Sequence, residues 1–316
     1  MKGRQRVDGQ TIVCRRVSRR FGTRLAVSDL DFSVPRGSVF GFLGPNGAGK
    51  TTTVRMLVGM LRPTGGSIEV LGQDPIAQGE AVRSRCGVML DNVGLYERLS
   101  AYQNLLFAAR VARLSPTKQR QRVEESLRRV DLWDRRSDRI SGFSKGMRQK
   151  LGLARALIAE PELLILDEPT AGLDPANIVM VRELLLSLAE ESGRTIFLCT
   201  HLLAEAQRIC DRVAIIQTGR LLAQGNPNQL GSQGVPTVRL QLIGMDGAAR
   251  AALTLPPGAE LSPMGGHEWR ASVSAEADTE KLVAALVNAG IGVRAVVPEQ
   301  VSLEEEYLRL VGGNEH

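Results

Sequence analysis

Gly44-Pro45-Asn46-Gly47-Ala48-Gly49-Lys50-Thr51 fits the pattern G-x-x-x-x-G-K-[ST], and its flanks are the ones the pattern requires. The apolar run Val39-Phe40-Gly41-Phe42-Leu43 before it reads as a buried strand, and Thr51 to Leu57 after it as a helix. Glycines let the backbone curl with its N–H groups facing inward, and the helix adds the positive end of its dipole. The stretch therefore predicts an anion hole for a nucleoside triphosphate. Gly44, Pro45, Asn46, Gly47, Ala48, Gly49, Lys50, Thr51 and Thr52 are the expected contacts to that triphosphate. Lys50 is placed to meet the β- and γ-phosphates, and the Thr51 hydroxyl to meet Mg²⁺.

A second stretch supplies what the first lacks. Leu163-Leu164-Ile165-Leu166-Asp167-Glu168 is an apolar strand that ends in two carboxylates. Asp167 is suited to hold Mg²⁺, directly or through water, while Glu168 can polarise the water that attacks the γ-phosphate. Without the loop upstream, the same pair would read as the start of a loop with a helix cap.

The 316 residues, 43% of them hydrophobic, suffice for one large domain and a smaller one. A net charge of +6 raises the question of nucleic acid, but the arginines are widely spread and only 4% of residues are aromatic. That pattern reads as a solvated basic surface, and no nucleic-acid partner is expected. Cys14, Cys86, Cys199 and Cys210 lie far apart with no C-x-x-C pair, as expected of reduced thiols in a cytosolic protein. Residues Met1 to Gln10 are polar, and no apolar run approaches the roughly 20 residues of a membrane helix, so any membrane role is expected to run through a partner.

The order of elements predicts an α/β fold. Thr11 to Val17 and Leu25 to Val34 read as strands of a small antiparallel β layer, Ser67 to Leu71 as another strand, Asp74-Pro75 as the start of a short helix, and Cys86 to Leu90 as a core strand. From about residue 92 to 160 the texture is helical, with a capping box at Ser100-x-x-Gln103 and Ser115-Pro116 opening the next helix. Strands and helices then alternate to Ala223, which implies a mostly parallel sheet with a ligand outside the strands' carboxyl ends. The composition loosens over Gly231 to Pro236. Beyond it, strands at Thr237 to Ile243, Trp269 to Val273 and Val293 to Val297, with helices at Asp278 to Ala289 and after Ser302-x-x-Glu305, form a small α/β domain. The expected domains are 11–230 and 237–312.

These residues resemble the nucleotide-binding domain of ABC transporters over Val13 to Leu230, about two-thirds of the chain. Phe143-Ser144-Lys145-Gly146-Met147-Arg148-Gln149 is similar to the LSGGQ signature, keeping Ser144 and Gly146 at the start of a helix, and Ala171-Gly172-Leu173-Asp174 is similar to the D-loop. The resemblance implies a P-loop NTPase core, ATP hydrolysis with Mg²⁺, and a homodimer in which Ser144 and Gly146 of one copy close over the nucleotide of the other. It implies that His201 is the switch histidine beside Glu168, and that Phe21 stacks on adenine, although Phe21 also reads as a plain turn residue. At the Q-loop the usual glutamine is replaced by Asp91, a candidate Mg²⁺ ligand, with Asn92 as the alternative register.

The signature variant, Asp91 and the small C-terminal domain together look like the drug-resistance branch of ABC-2 type exporters, similar to daunorubicin resistance ATP-binding subunits. That branch implies a separately encoded permease and a cytoplasmic position on the inner face of the cell membrane. Competing readings are an ABC ATPase acting on ribosomes or nucleic acid, and a sensor that holds ATP without turnover. The first lacks a second ATPase domain or long coiled coil here; the second is opposed by Asp167, Glu168 and His201 together.

Overall fold

The computed structural model describes residues 9–230, 237–245, 247–274, 278–299 and 302–312. The loosened stretch 231–236 and the first eight residues lie outside them. Two compact units divide between Gly225 and Asn226.

The first unit opens with a long hairpin, β1 (Gln10–Phe21) and β2 (Arg24–Pro35), then β3 (Val39–Leu43), α1 (Lys50–Leu57), β4 (Gly65–Val70), α2 (Gly79–Ser84) and β5 (Cys86–Met89). Three helices follow, α3 (Ala101–Val111), α4 (Pro116–Arg129) and α5 (Lys145–Leu157). The unit closes with β6 (Leu163–Asp167), α6 (Pro175–Ser192), β7 (Thr195–Thr200), α7 (Leu203–Ile209), β8 (Arg212–Gln217) and β9 (Arg220–Gly225).

These strands make two sheets. One is antiparallel, in the order β2-β1-β4; the other has six strands, β5-β6-β7-β3-β8-β9, parallel except for β9. The antiparallel layer thus takes its third strand from beyond the phosphate loop. β3, β6 and β7 are buried at every residue, as befits parallel strands covered on both faces.

An aromatic cluster joins the sheets. Phe32 on β2 lies 5.3 Å from Phe42 and 5.9 Å from Phe40 on β3, and 6.1 Å from Phe197 on β7, ring centre to ring centre. Phe40 and Phe42 share a face because they are two residues apart on a strand. Truncating fully buried Phe197 to alanine is expected to cost about 3–5 kcal/mol.

The helical segment follows its caps. Ser100 Oγ accepts from Gln103 N at 3.2 Å while Gln103 Oε1 accepts from Ser100 N at 2.9 Å, the reciprocal box that starts α3. Asp74 instead makes a turn, its Oδ1 accepting from Ile76 N, and the helix waits until Gly79. Three of the four cysteines are buried and none of the four is in a disulfide. Burial pushes the Cys86 thiol up to about 12.

The second unit comprises β10 (Thr237–Ile243), α8 (Gly247–Ala252), β11 (Glu260–Gly265), β12 (Glu268–Ser272), α9 (Asp278–Asn288), β13 (Gly292–Glu299) and α10 (Leu303–Gly312). Its sheet is antiparallel in the order β11-β12-β10-β13. Val238, Leu240 and Leu242 alternate inward along β10 to meet Leu282 and Leu286 of α9. Neither α8 nor β11 is expected from the sequence; β11 carries Pro263 and ends in Gly265, residues that erase the usual strand signal.

Candidate functional site

The loop between β3 and α1 is shaped by close backbone approach. A side chain at Gly44 would place its Cβ 2.3 Å from Ile216 O on β8, so only glycine fits. Gly49 has φ +106, and a Cβ there would meet Ala26 O at 2.8 Å. The loop turns directly into α1 with no side-chain cap on the helix N-terminus. That terminus offers its free N–H groups to an anion.

A cavity of about 330 Å³ lies over this loop. Residues predicted to bind nucleotide line it, Pro45, Asn46, Gly47, Gly49, Lys50, Thr51 and Thr52, together with Phe21, Asp91, Asp167 and Glu168. Gly44 and Ala48 stand behind as the loop's frame; Lys50 Nζ donates to Gly44 O at 2.6 Å, and Ala48 N to Pro45 O at 3.2 Å. Arg24 and Ala26 also line the cavity and were not anticipated. Their place on the strand after the Phe21 turn is the only sequence signal that could have found them.

Inside the cavity the charges are already matched to one another. Lys50 Nζ sits 3.1 Å from Glu168 Oε1, close enough for an ion pair though not aligned for a hydrogen bond. Glu168 Oε2 is 2.9 Å from His201 Nδ1. Thr51 Oγ1 donates to Asp167 Oδ2 at 2.6 Å, which leaves Asp167 Oδ1 buried without a hydrogen-bond partner. Burial holds the Asp167 carboxyl above the usual carboxylate range; the Thr51 bond and Lys50 work against this, and the charges of Glu168 and Asp91 reinforce it.

An uncompensated carboxylate oxygen beside a threonine hydroxyl is a fitting place for a hard cation that also takes phosphate oxygens. Among the described residues, no group of three or more His, Cys, Asp or Glu side chains could hold a metal by itself. Such a cation would therefore depend on the nucleotide for its remaining ligands.

The two Q-loop candidates stand in different places. Asp91 faces the cavity, whereas Asn92 Oδ1 is used locally, accepting from Gly94 N at 3.1 Å. Phe21 is 46% exposed, and the Arg19 guanidinium lies 4.5 Å from its ring centre. Ser144 and Gly146 do not line the cavity. Ser144 caps α5, its Oγ accepting from Met147 N at 3.2 Å, and Gly146 lies near Leu173 and Asn177. Asp174 likewise caps α6, accepting from Asn177 N at 2.9 Å.

Comparisons with known proteins identify the family. Residues 27–171 match the family model for the ABC transporter. Over 304 residues the chain is 39% identical to a daunorubicin resistance ATP-binding protein of Streptomyces coeruleorubidus, covering 93% of each chain. The chain belongs to the ABC transporter ATP-binding proteins.

It is also 35% identical over 299 residues to the bacitracin transport ATP-binding protein of Bacillus licheniformis, covering 94% of this chain and 96% of that one. Among solved structures it is similar to cbiO1 from Clostridium perfringens, part of the ABC transporter complex cbiONQ. The TM-score is 0.65 and the identity 28%, covering 72% of this chain and 92% of that one. As an ABC transporter ATP-binding protein, the chain is an ATPase built on a P-loop NTPase core.

Proposed function

We propose that this ABC transporter ATP-binding protein is the motor of an exporter, working as a head-to-tail homodimer on a separately encoded permease at the inner face of the membrane. The unit at 11–230 does the chemistry, with 92–160 as its helical subdomain, and 237–312 is an accessory domain. One observation carries the dimer. The phosphate loop, Asp167 and Glu168 line one cavity, while Ser144 and Gly146 sit outside it on the N-terminus of α5. A site needing both is completed by a second copy. The relatives named for bacitracin transport, daunorubicin resistance and Nod factor export support the direction. A permease is in keeping with the finding that no helix among the described residues is long and apolar enough to cross a membrane.

In this reading Lys50 leaves Glu168 for the β- and γ-phosphates, Phe21 stacks on adenine, and Thr51, Asp167 and Asp91 hold Mg²⁺. Bound Mg²⁺ supplies charge neutralisation on the phosphate oxygens. Released from Lys50, Glu168 takes a proton from the attacking water while His201 fixes its second oxygen. Glu168→Gln tests the scheme. It should keep ATP, lose turnover, and elute as a dimer from a sizing column in ATP; turnover at the parental rate refutes it.

A further inference from the structure

We infer that Gln149, on α5, is a positioning residue that sets the backbone of Glu168. The inference rests on the reading of Glu168 as the general base.

Gln149 is only 3% exposed, and its Nε2 donates to Glu168 O at 3.2 Å. A buried amide is costly unless it is bonded, and a packing role alone would be filled by methionine or leucine of similar volume. The bond falls where the backbone needs it. Glu168 has φ +52, in the left-handed region that side-chain-bearing residues seldom adopt. Three hydrogen bonds hold it there: Glu168 N donates to Cys199 O at 2.9 Å, and Glu168 O accepts from Ala171 N at 3.2 Å as well as from Gln149. With the peptide so fixed, the side chain has one direction to leave, towards Lys50 and His201.

The helix that carries Gln149 has two further attachments. At its start Ser144 is the end proposed to meet the partner's nucleotide. Near its close, Arg155 donates to Val93 O at 2.5 Å and to Gly94 O at 2.9 Å, in the loop that follows Asp91. Gly152 packs on the same loop; a Cβ there would meet Val93 Cγ1 at 2.3 Å. One rigid helix thus touches both the base and the Asp91 loop in its own chain.

The test compares the full-length chain with Gln149→Met, Gln149→Glu, Glu168→Gln and the double variant Gln149→Met/Glu168→Gln in steady-state ATPase assays. Gln149→Met keeps the length but removes the donor, and should lower kcat about 100-fold while the KM for ATP stays within about twofold, the signature of a displaced group and not of a lost binding contact. Gln149→Glu, which presents an acceptor to the same carbonyl, should be at least as slow and guards against a folding defect peculiar to methionine. In the Glu168→Gln background the Met substitution should change the residual rate by less than about twofold, because the group it acts through is already gone. Parental kcat in both single variants overturns the inference, as does an equal slowing with and without Glu168. If Glu168→Gln alone turns over normally, the base assignment falls and the inference with it.

Discussion

Lys50 and Glu168, distant in sequence, form an ion pair at 3.1 Å with side-chain exposures of 6% and 10%. Each neutralises the other in a cavity that also holds Asp167 and Asp91. Removing one member leaves the other charge poorly solvated, which is more damaging than never having had the pair. Lys50→Ala should therefore lose stability by about 3–5 kcal/mol in urea titrations. It should also lose nucleotide binding, followed with a fluorescent ATP analogue; a parental midpoint and affinity would contradict the role of the pair.

Asp167 carries the opposite sign of effect. Its pKa is raised in the fold, chiefly by burial, so its contribution to stability is present when it is protonated, below its unfolded value of about 3.9. That contribution is lost as pH rises through the folded pKa. Asp167→Asn, neutral throughout, should be more stable than the parent at pH 7, with the gap closing as pH falls through the folded pKa of Asp167 and gone below its unfolded value of about 3.9. Urea midpoints at the two pH values check this, and ATPase activity should fall in the same protein.

Asp91 and Asn92 are separated by what they do. Because Asp91 faces the cavity and Asn92 is committed to Gly94 N, Asp91→Ala should raise the Mg²⁺ concentration for half-maximal turnover about tenfold. Asn92→Ala should leave it alone. The reverse ranking in a Mg²⁺ titration would exchange the two assignments.

Phe21 has one face covered by Arg19 and is 46% exposed. Phe21→Ala should weaken ATP binding by about tenfold, the lower end of base–aromatic stacking, and leave inorganic tripolyphosphate unaffected. Calorimetric titration of both ligands decides it. Equal weakening of the two would return Phe21 to a purely structural role.

What could be read in advance follows from how far each signal reaches along the chain. Glycines ahead of Lys50, the apolar run into Asp167 and Glu168, and the Ser100 and Ser302 boxes are local, and each element stands where the pattern places it. The strand with Pro263 and the short helix at Gly247 carry weak local preference and are held by their neighbours in the sheet and core of the second unit. The Lys50–Glu168 pair, Arg24 at the cavity and the bond from Gln149 to Glu168 O were invisible, because each depends on segments that only tertiary packing brings together.

The cluster of Phe32, Phe40, Phe42 and Phe197 welds the hairpin bearing Phe21 to the sheet bearing the phosphate loop. The two ends of the cavity therefore belong to one stiff body, like the jaws of a caliper locked at a single opening. If Phe21 takes the base and the loop the phosphates, as proposed, such a gauge would fit its nucleotide by span.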